Sequence, residues 1–145
     1  MPFRFPLATV LRVRESIERR EERALQRIQL EMARVARQIE ELNEALKKAY
    51  EAREQALRHA MSAVELQTML YQAQATVAAK NALLLTLQKL EEQRLKQMKV
   101  YQAAHRDHET MINLFNEQRD MYEVEQVRAQ QKYLDDIFMG RRHRS

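Results

Sequence analysis

Residues 7–139 contain neither glycine nor proline, and this feature constrains the fold more than any other. Glycine and proline are the residues that most often end helices and strands, so their absence favours helix throughout the stretch. Pro2 and Pro6 precede it, and Gly140, the only glycine, follows it. These positions suit a helix start and a helix C-terminal cap.

One helix of that length would extend about 200 Å at roughly 1.5 Å per residue, so it needs a packing partner along its length. That partner is either a second copy or the other half of the same chain. The composition is dominated by Ala, Glu, Gln, Lys, Leu and Arg and lacks Trp. It predicts a single elongated domain over residues 1–145, built around a narrow apolar seam rather than a compact core.

The first half of the chain carries a heptad pattern, in which apolar residues recur in alternating steps of three and four. The pattern comprises Leu25, Ile28, Met32, Val35, Ile39, Leu42, Leu46 and Ala49. Downstream, Leu57, Met61 and Val64 are displaced from it. This displacement predicts an interruption of the first helix.

The second half carries its own stripe, with several polar members and a four-residue stutter after Leu90. The stripe comprises Leu83, Leu87, Leu90, Met98, Tyr101, His105, His108, Ile112, Phe115, Arg119, Tyr122, Gln126, Ala129 and Tyr133. In a parallel homodimer His105, His108 and Arg119 would face their own copies and repel when charged. A hairpin sets them against different residues, and the stripe therefore favours a hairpin.

A capping box at Ser62-Ala63-Val64-Glu65 supplies the turn that a hairpin needs. We predict a first helix over residues 7–58, a bend within residues 58–67, a second helix over residues 63–139 and a basic tail over residues 140–145. A continuous helix is the alternative. The predicted fold class is all-α, with two long helices forming an antiparallel coiled-coil hairpin.

An apolar face follows the predicted bend at helical spacing. It comprises Leu66, Met69, Leu70, Ala73 and Val77. This bend face either closes the hairpin or binds a partner.

Charge and hydropathy exclude several classes of protein. The net charge is +4, but most basic residues alternate with acidic ones, which is typical of a solvated helix face rather than a nucleic-acid interface. No apolar run approaches the roughly 20 residues that cross a bilayer, and the N-terminus lacks a signal-peptide pattern. With no cysteines, we expect a cytoplasmic protein without nucleic-acid partners or direct membrane insertion.

Catalytic and metal-binding patterns are weak. A single glycine cannot build a phosphate-binding loop, and the adjacent Asp135 and Asp136 point about 100° apart on a helix. His105, His108 and Glu109 could offer metal ligands, but they need a fourth ligand from elsewhere, and a polar layer in the seam is the favoured interpretation. We therefore expect no enzyme, no cofactor and no metal site, with a metal-dependent activity at the two histidines as the minor alternative.

The two ends of the chain are more specific. It opens with Phe3-Arg4-Phe5-Pro6-Leu7-Ala8-Thr9-Val10-Leu11-Arg12-Val13-Arg14-Glu15, and near its end it has Gln130-Gln131-Lys132-Tyr133-Leu134-Asp135-Asp136. Both segments resemble the flagellar export protein FliJ family. That family typically begins Phe-x-Phe-x-Leu-x-x-Val-Leu-x-x-Arg and ends in a segment like Glu-x-x-x-x-Glu-Gln-Lys-x-Leu-Asp-Glu before a short basic tail.

The resemblance implies a non-catalytic stalk of the flagellar type III export apparatus, similar to the central subunit of rotary ATPases. Such a stalk would bind the hexameric export ATPase, promote its assembly and activity, and link it to the cytoplasmic domain of the export gate membrane protein and to export chaperones. It would be cytoplasmic and peripherally associated with the inner-membrane export apparatus. The equivalent stalk of a virulence type III secretion system and a generic cytoplasmic coiled-coil scaffold are the alternatives.

The resemblance also implies where partners bind, because both termini of a rotary stalk lie at the tip that enters the ring. The implied ATPase contacts are Phe3, Phe5, Leu7, Leu11, Leu134, Ile137, Phe138 and Arg141. The bend face, Leu66, Met69, Leu70, Ala73 and Val77, would then contact the gate or the chaperones.

Overall fold

The computed structural model describes residues 2–144, with side chains up to Arg141. Within these residues the chain forms two α-helices and no strand: α1, Ala8–Arg58, and α2, Ala63–Arg144. The two helices pack against each other as a helical hairpin. The predicted all-α fold of two long helices is therefore confirmed.

The residues group into two compact units, which are described separately. The terminal unit comprises Met1–Glu21 and Tyr101–Ser145, and the bend unit comprises Glu22–Val100. The assignment of residues 1–145 to one domain stays a prediction.

The core of the bend unit is the heptad seam of α1. The buried members of this seam are Leu25, Val35, Ile39 and Leu46. The seam does not slip after Ala49, because Arg53 and Ala56 occupy its next positions and are half-buried, whereas Leu57 is exposed. The expected slip is wrong because a small side chain and the aliphatic stem of an arginine can fill seam positions that an apolar count overlooks.

The turn between the helices consists of residues 59–62, inside the window expected for the bend. Ala60 adopts a left-handed backbone with φ of 51°, the conformation that commonly ends helices. The Ser62 hydroxyl accepts a hydrogen bond from the Glu65 N–H at 3.2 Å, as an N-cap serine does. The Ser62 carbonyl accepts from the Leu66 N–H at 3.1 Å and so begins the hydrogen-bond ladder of α2.

The seam of α2 runs without the predicted stutter. From Leu83, Leu87 and Leu90 it keeps the alternating spacing through Arg94, Gln97, Tyr101, Ala104, His108, Met111, Phe115, Gln118 and Tyr122. Ala104 is buried. The predicted members that instead lie beside the seam are Met98, His105, Ile112 and Arg119. The predicted stutter is wrong because several seam positions carry polar residues. Neighbouring apolar residues such as Met98 and Ile112 gave the sequence pattern a shifted register.

The end of α2 also differs from the sequence-based expectation. Gly140 does not cap the helix, which continues to Arg144. No glycine among the described residues has a positive φ, and a Cβ placed at Gly140 would meet no atom within 4 Å. Because nothing packs there to redirect the backbone, residues 140–144 of the expected basic tail continue the helix.

The left-handed residue at the turn gives a stability prediction. Replacing Ala60 with glycine removes the clash between Cβ and the carbonyl oxygen, so we expect Ala60→Gly to raise the free energy of unfolding by about 1 kcal/mol. Ala36→Gly, at an exposed position inside α1, should lower it by about 1 kcal/mol. Urea unfolding followed by circular dichroism measures both, and a loss of stability in both variants would contradict the turn geometry.

Candidate interaction surfaces

Residues 2–7 form an N-terminal hook that folds back against α2. The Phe5 carbonyl accepts the Ala8 N–H at 3.1 Å, and α1 starts there. The Phe5 ring meets Phe115 edge-on at 5.4 Å between ring centres, and the Phe3 ring lies 5.6 Å from Phe115 and 5.5 Å from Tyr122. Such aromatic pairs add to the apolar burial, so they anchor the hook.

The hook alters the picture of the N-terminal candidates for ATPase contact. Phe5 is only 8% exposed, and Phe3 and Leu11 are half-buried, whereas Leu7 is exposed. Much of the surface of the Phe3 and Phe5 rings is therefore packed against α2. The assignment of these residues to a partner stays a prediction.

Beyond the hook, α2 continues as a C-terminal overhang, residues 123–141, in which every residue is exposed. It carries the other four candidates for ATPase contact, Leu134, Ile137, Phe138 and Arg141. The structure does not bring them to the hook, because Phe3 reaches Tyr122 and Phe138 lies about 24 Å further along the axis at 1.5 Å per residue.

The overhang carries a row of apolar side chains on the side of α2 opposite to its seam line. Where the seam of α2 would continue past Tyr122, the residues are Glu125, Ala129, Lys132 and Asp136. Four exposed apolar side chains lie roughly 200° around the helix from that line, whereas Tyr133, Ile137 and Met139 lie at other angles. This overhang stripe comprises Val124, Val127, Leu134 and Phe138. Val124 and Val127 were not predicted as site residues, although the spacing of three from Val124 to Val127 and of seven from Val127 to Leu134 indicates a shared helical face.

The bend face divides between two directions. Met69 and Ala73 are half-buried and, with Ala49 and Arg53, line a groove of about 400 Å³ between the helices. Leu66, Leu70 and Val77 are exposed. Two of the five side chains thus pack in the hairpin and three are exposed, and binding of the bend face to a partner stays a prediction.

A polar cluster joins the helices in the terminal unit. The Glu18 carboxylate of α1, with a side chain 16% exposed, lies 3.1 Å through Oε1 from His105 Nδ1 and bonds through Oε2 to His108 Nδ1. On the other side of the His105 ring, Nε2 lies 3.2 Å from Glu109 Oε1. This is the polar layer favoured by the sequence, with Glu18 as the partner that the sequence did not identify.

The cluster shifts the ionisation of its members. Burial opposes the charged form of Glu18, but the hydrogen bonds of His105 and His108 outweigh it and hold the Glu18 pKa below its ordinary value of 4.5. The hydrogen bond to Glu18, opposed by partial desolvation, raises the pKa of His105 above its ordinary 6.5. Within the described part of the chain, no group of three or more His, Cys, Asp or Glu side chains could hold a metal ion.

Comparison with known proteins defines the class to which this helical hairpin belongs. A family model described as flagellar FliJ protein matches residues 3–145, essentially the whole chain. The chain belongs to this family, whose members are non-catalytic components of flagellar type III protein export. No curated protein and no solved structure matches the chain significantly. None of the helices in residues 2–144 is long and apolar enough to cross a membrane.

The different surroundings of the phenylalanines give a second stability prediction. Phe5→Ala should lower the free energy of unfolding of the terminal unit by about 2 kcal/mol, because a nearly buried ring is lost from the Phe115 contact. Phe138→Ala, on the exposed overhang, should change it by less than about 0.5 kcal/mol. Amide exchange in residues 8–21 measures the difference, and equal effects of the two variants would contradict the hook.

Proposed function

We propose that this protein is the central stalk of the export ATPase. It binds the hexameric ATPase, promotes its assembly and activity, and links it to the cytoplasmic domain of the export gate membrane protein and to export chaperones. This role places it in the cytoplasm, peripherally associated with the inner-membrane export apparatus. Family membership supports the export system, and the exposed overhang is the observation that carries the ATPase contact.

The overhang suits insertion into a protein ring for two reasons. Three of its four seam positions are charged and the fourth is alanine, so it offers no apolar seam to a second helix of its own chain. Its stripe exposes Val127 at 61%, Leu134 at 62% and Phe138 at 66%, and such a row of apolar side chains is normally covered by a partner. An open groove between the hook and α2, lined in part by Phe3 and Met121, extends the surface available to that partner.

A non-catalytic stalk can still raise a partner's turnover. A helical hairpin is not symmetric about its axis, so it meets the subunits of a ring with different side chains. Any subunit conformation that it binds better becomes more populated. On this mechanism the stalk contributes differential contacts and no reacting group.

The overhang stripe provides the test of the ATPase contact. The purified chain should raise the hydrolysis rate of the cognate export ATPase and favour its hexamer. Leu134→Ser with Phe138→Ser should raise the half-maximal concentration at least about tenfold, because central apolar anchors dominate interface energies. Lys132→Ser with Asp136→Ser, on the seam line of the same helix, is the matched control and should change it little.

Two outcomes would contradict the ATPase contact. One is an unchanged rate and oligomeric state of the ATPase at saturating concentrations of the chain. The other is an equal loss in both double variants, which would show that the stripe has no special part in binding. Circular dichroism checks that each variant remains helical.

The bend unit supports a separate contact with the gate or the chaperones. Leu66, Leu70 and Val77 present apolar side chains at 37%, 48% and 37% exposure, beside the exposed Tyr71. They lie on one helical face, at spacings of four and seven. Amphipathic faces of this kind bind grooves or helices of partner proteins.

A binding measurement tests the bend face. Leu70→Asp should weaken binding to the cytoplasmic domain of the cognate gate protein, or to an export chaperone, at least about tenfold, because a charge replaces a desolvated leucine. Leu30→Asp, a matched change at the 71% exposed Leu30 of α1, should leave affinity unchanged. Calorimetry measures the affinity of both variants for the partner. Equal affinities would contradict a contact through the bend face.

A further inference from the structure

Polar contacts contribute to holding the start of α1 to α2. In the terminal unit the buried apolar residues are Phe5 of the hook and Ala104 of α2. Glu18 occupies a seam position of α1 and reaches both histidines across the interface, and Arg14 reaches Asp107 at 3.4 Å. Weakening these polar contacts should therefore weaken the attachment of the first turns of α1 to α2.

The geometry at His105 requires a particular protonation state. Its Nδ1 faces an oxygen of Glu18, and its Nε2 faces an oxygen of Glu109. A carboxylate can only accept hydrogen bonds, and only the imidazolium form of histidine donates from both ring nitrogens. The observed arrangement is complete only while His105 carries two protons.

We propose that Glu18, His105 and His108 form a lock, which fastens the first turns of α1 to α2 while His105 is protonated and loosens as the pH rises. When His105 loses a proton, one of its two carboxylate contacts loses its hydrogen bond. The half-buried Glu18 carboxylate loses part of the positive charge that offsets its desolvation. The segment that loosens is residues 8–21, immediately after the hook.

The neighbouring charged side chains have other partners and do not replace the histidines beside Glu18. On α1, Arg14 pairs with Asp107, Glu15 pairs with Arg19 at 2.6 Å, and Glu21 pairs with Arg20. On α2, Glu109 faces the second nitrogen of His105, and the Tyr101 ring stacks on His105 at 6.0 Å between ring centres. In this arrangement the side chains of α2 that contact Glu18 are those of His105 and His108.

The direction of the pH response follows from the two shifted groups. Because the folded-state pKa of His105 is raised, its stabilising effect is complete below its ordinary 6.5 and disappears as the pH rises through the folded value. Because the folded-state pKa of Glu18 is lowered, its effect is complete above its ordinary 4.5 and disappears as the pH falls through the folded value. The lock is strongest between these limits.

Amide hydrogen exchange of the full chain tests the lock. After correction for the intrinsic pH dependence of exchange, protection of residues 8–21 should fall about two- to fivefold between about pH 6 and about pH 8.5, the effect expected for partly exposed ion pairs. Residues 25–46, around the apolar seam, should keep their protection and serve as the internal reference. Unchanged protection in residues 8–21 would overturn the proposal.

Substitutions identify the groups responsible. Glu18→Gln and the double variant His105→Gln with His108→Gln should both lose the pH dependence. His59→Gln, at the exposed turn, should retain it. A pH dependence that persists in the double histidine variant would overturn the lock even if wild-type protection changes.

A second measurement avoids variants of the lock that might fail to fold. Nuclear magnetic resonance titration of the histidine rings in the wild-type chain should show His105 losing its proton at a pH above its ordinary 6.5. The loss should coincide with the loss of protection in residues 8–21. If His105 loses its proton at or below its ordinary 6.5, the proposal fails.

Discussion

The apolar contact between α1 and α2 in the bend unit is the interaction on which the rest of the structure depends. Isolated helices are only marginally stable in water, and the backbone propensity of this chain would not by itself hold 51 residues of α1 in one helix. Leu25, Val35, Ile39 and Leu46 supply the burial that does so. Because the seam is narrow, most side chains remain in solvent and available to partners.

The terminal unit solves the same packing problem with different chemistry. Its seam includes Glu18 and His108, and it compensates with the aromatic hook and with the hydrogen bonds of the polar cluster. Polar layers contribute less stability than apolar ones, but they respond to protonation. A unit built in this way can hold the helices together and still respond to its surroundings, whereas the bend unit lacks a comparable titrating layer among its described contacts.

The overhang and the hook together change how the ends of the chain are understood. Phe3 and Phe5 form the most distinctive part of the N-terminal motif, and they pack mainly against Phe115 and Tyr122. The side chains of the overhang stripe are left exposed by this packing. The motif that identifies the family thus overlaps a structural anchor, and the exposed overhang stripe lies further along α2.

The sequence by itself determined the helical class, the hairpin and the family. A stretch without glycine or proline favours helix, and Ser62 marks the start of α2. The terminal motifs are short segments that can be recognised without the fold. It did not determine the register, because seam positions occupied by Arg53, Arg94 and Gln118 carry no apolar signal. Nor could it pair Glu18 with His105, since residues so far apart meet only after folding. Tertiary packing decided which side chains are buried, because the burial of a side chain depends on the residues of the opposite helix that lie against it.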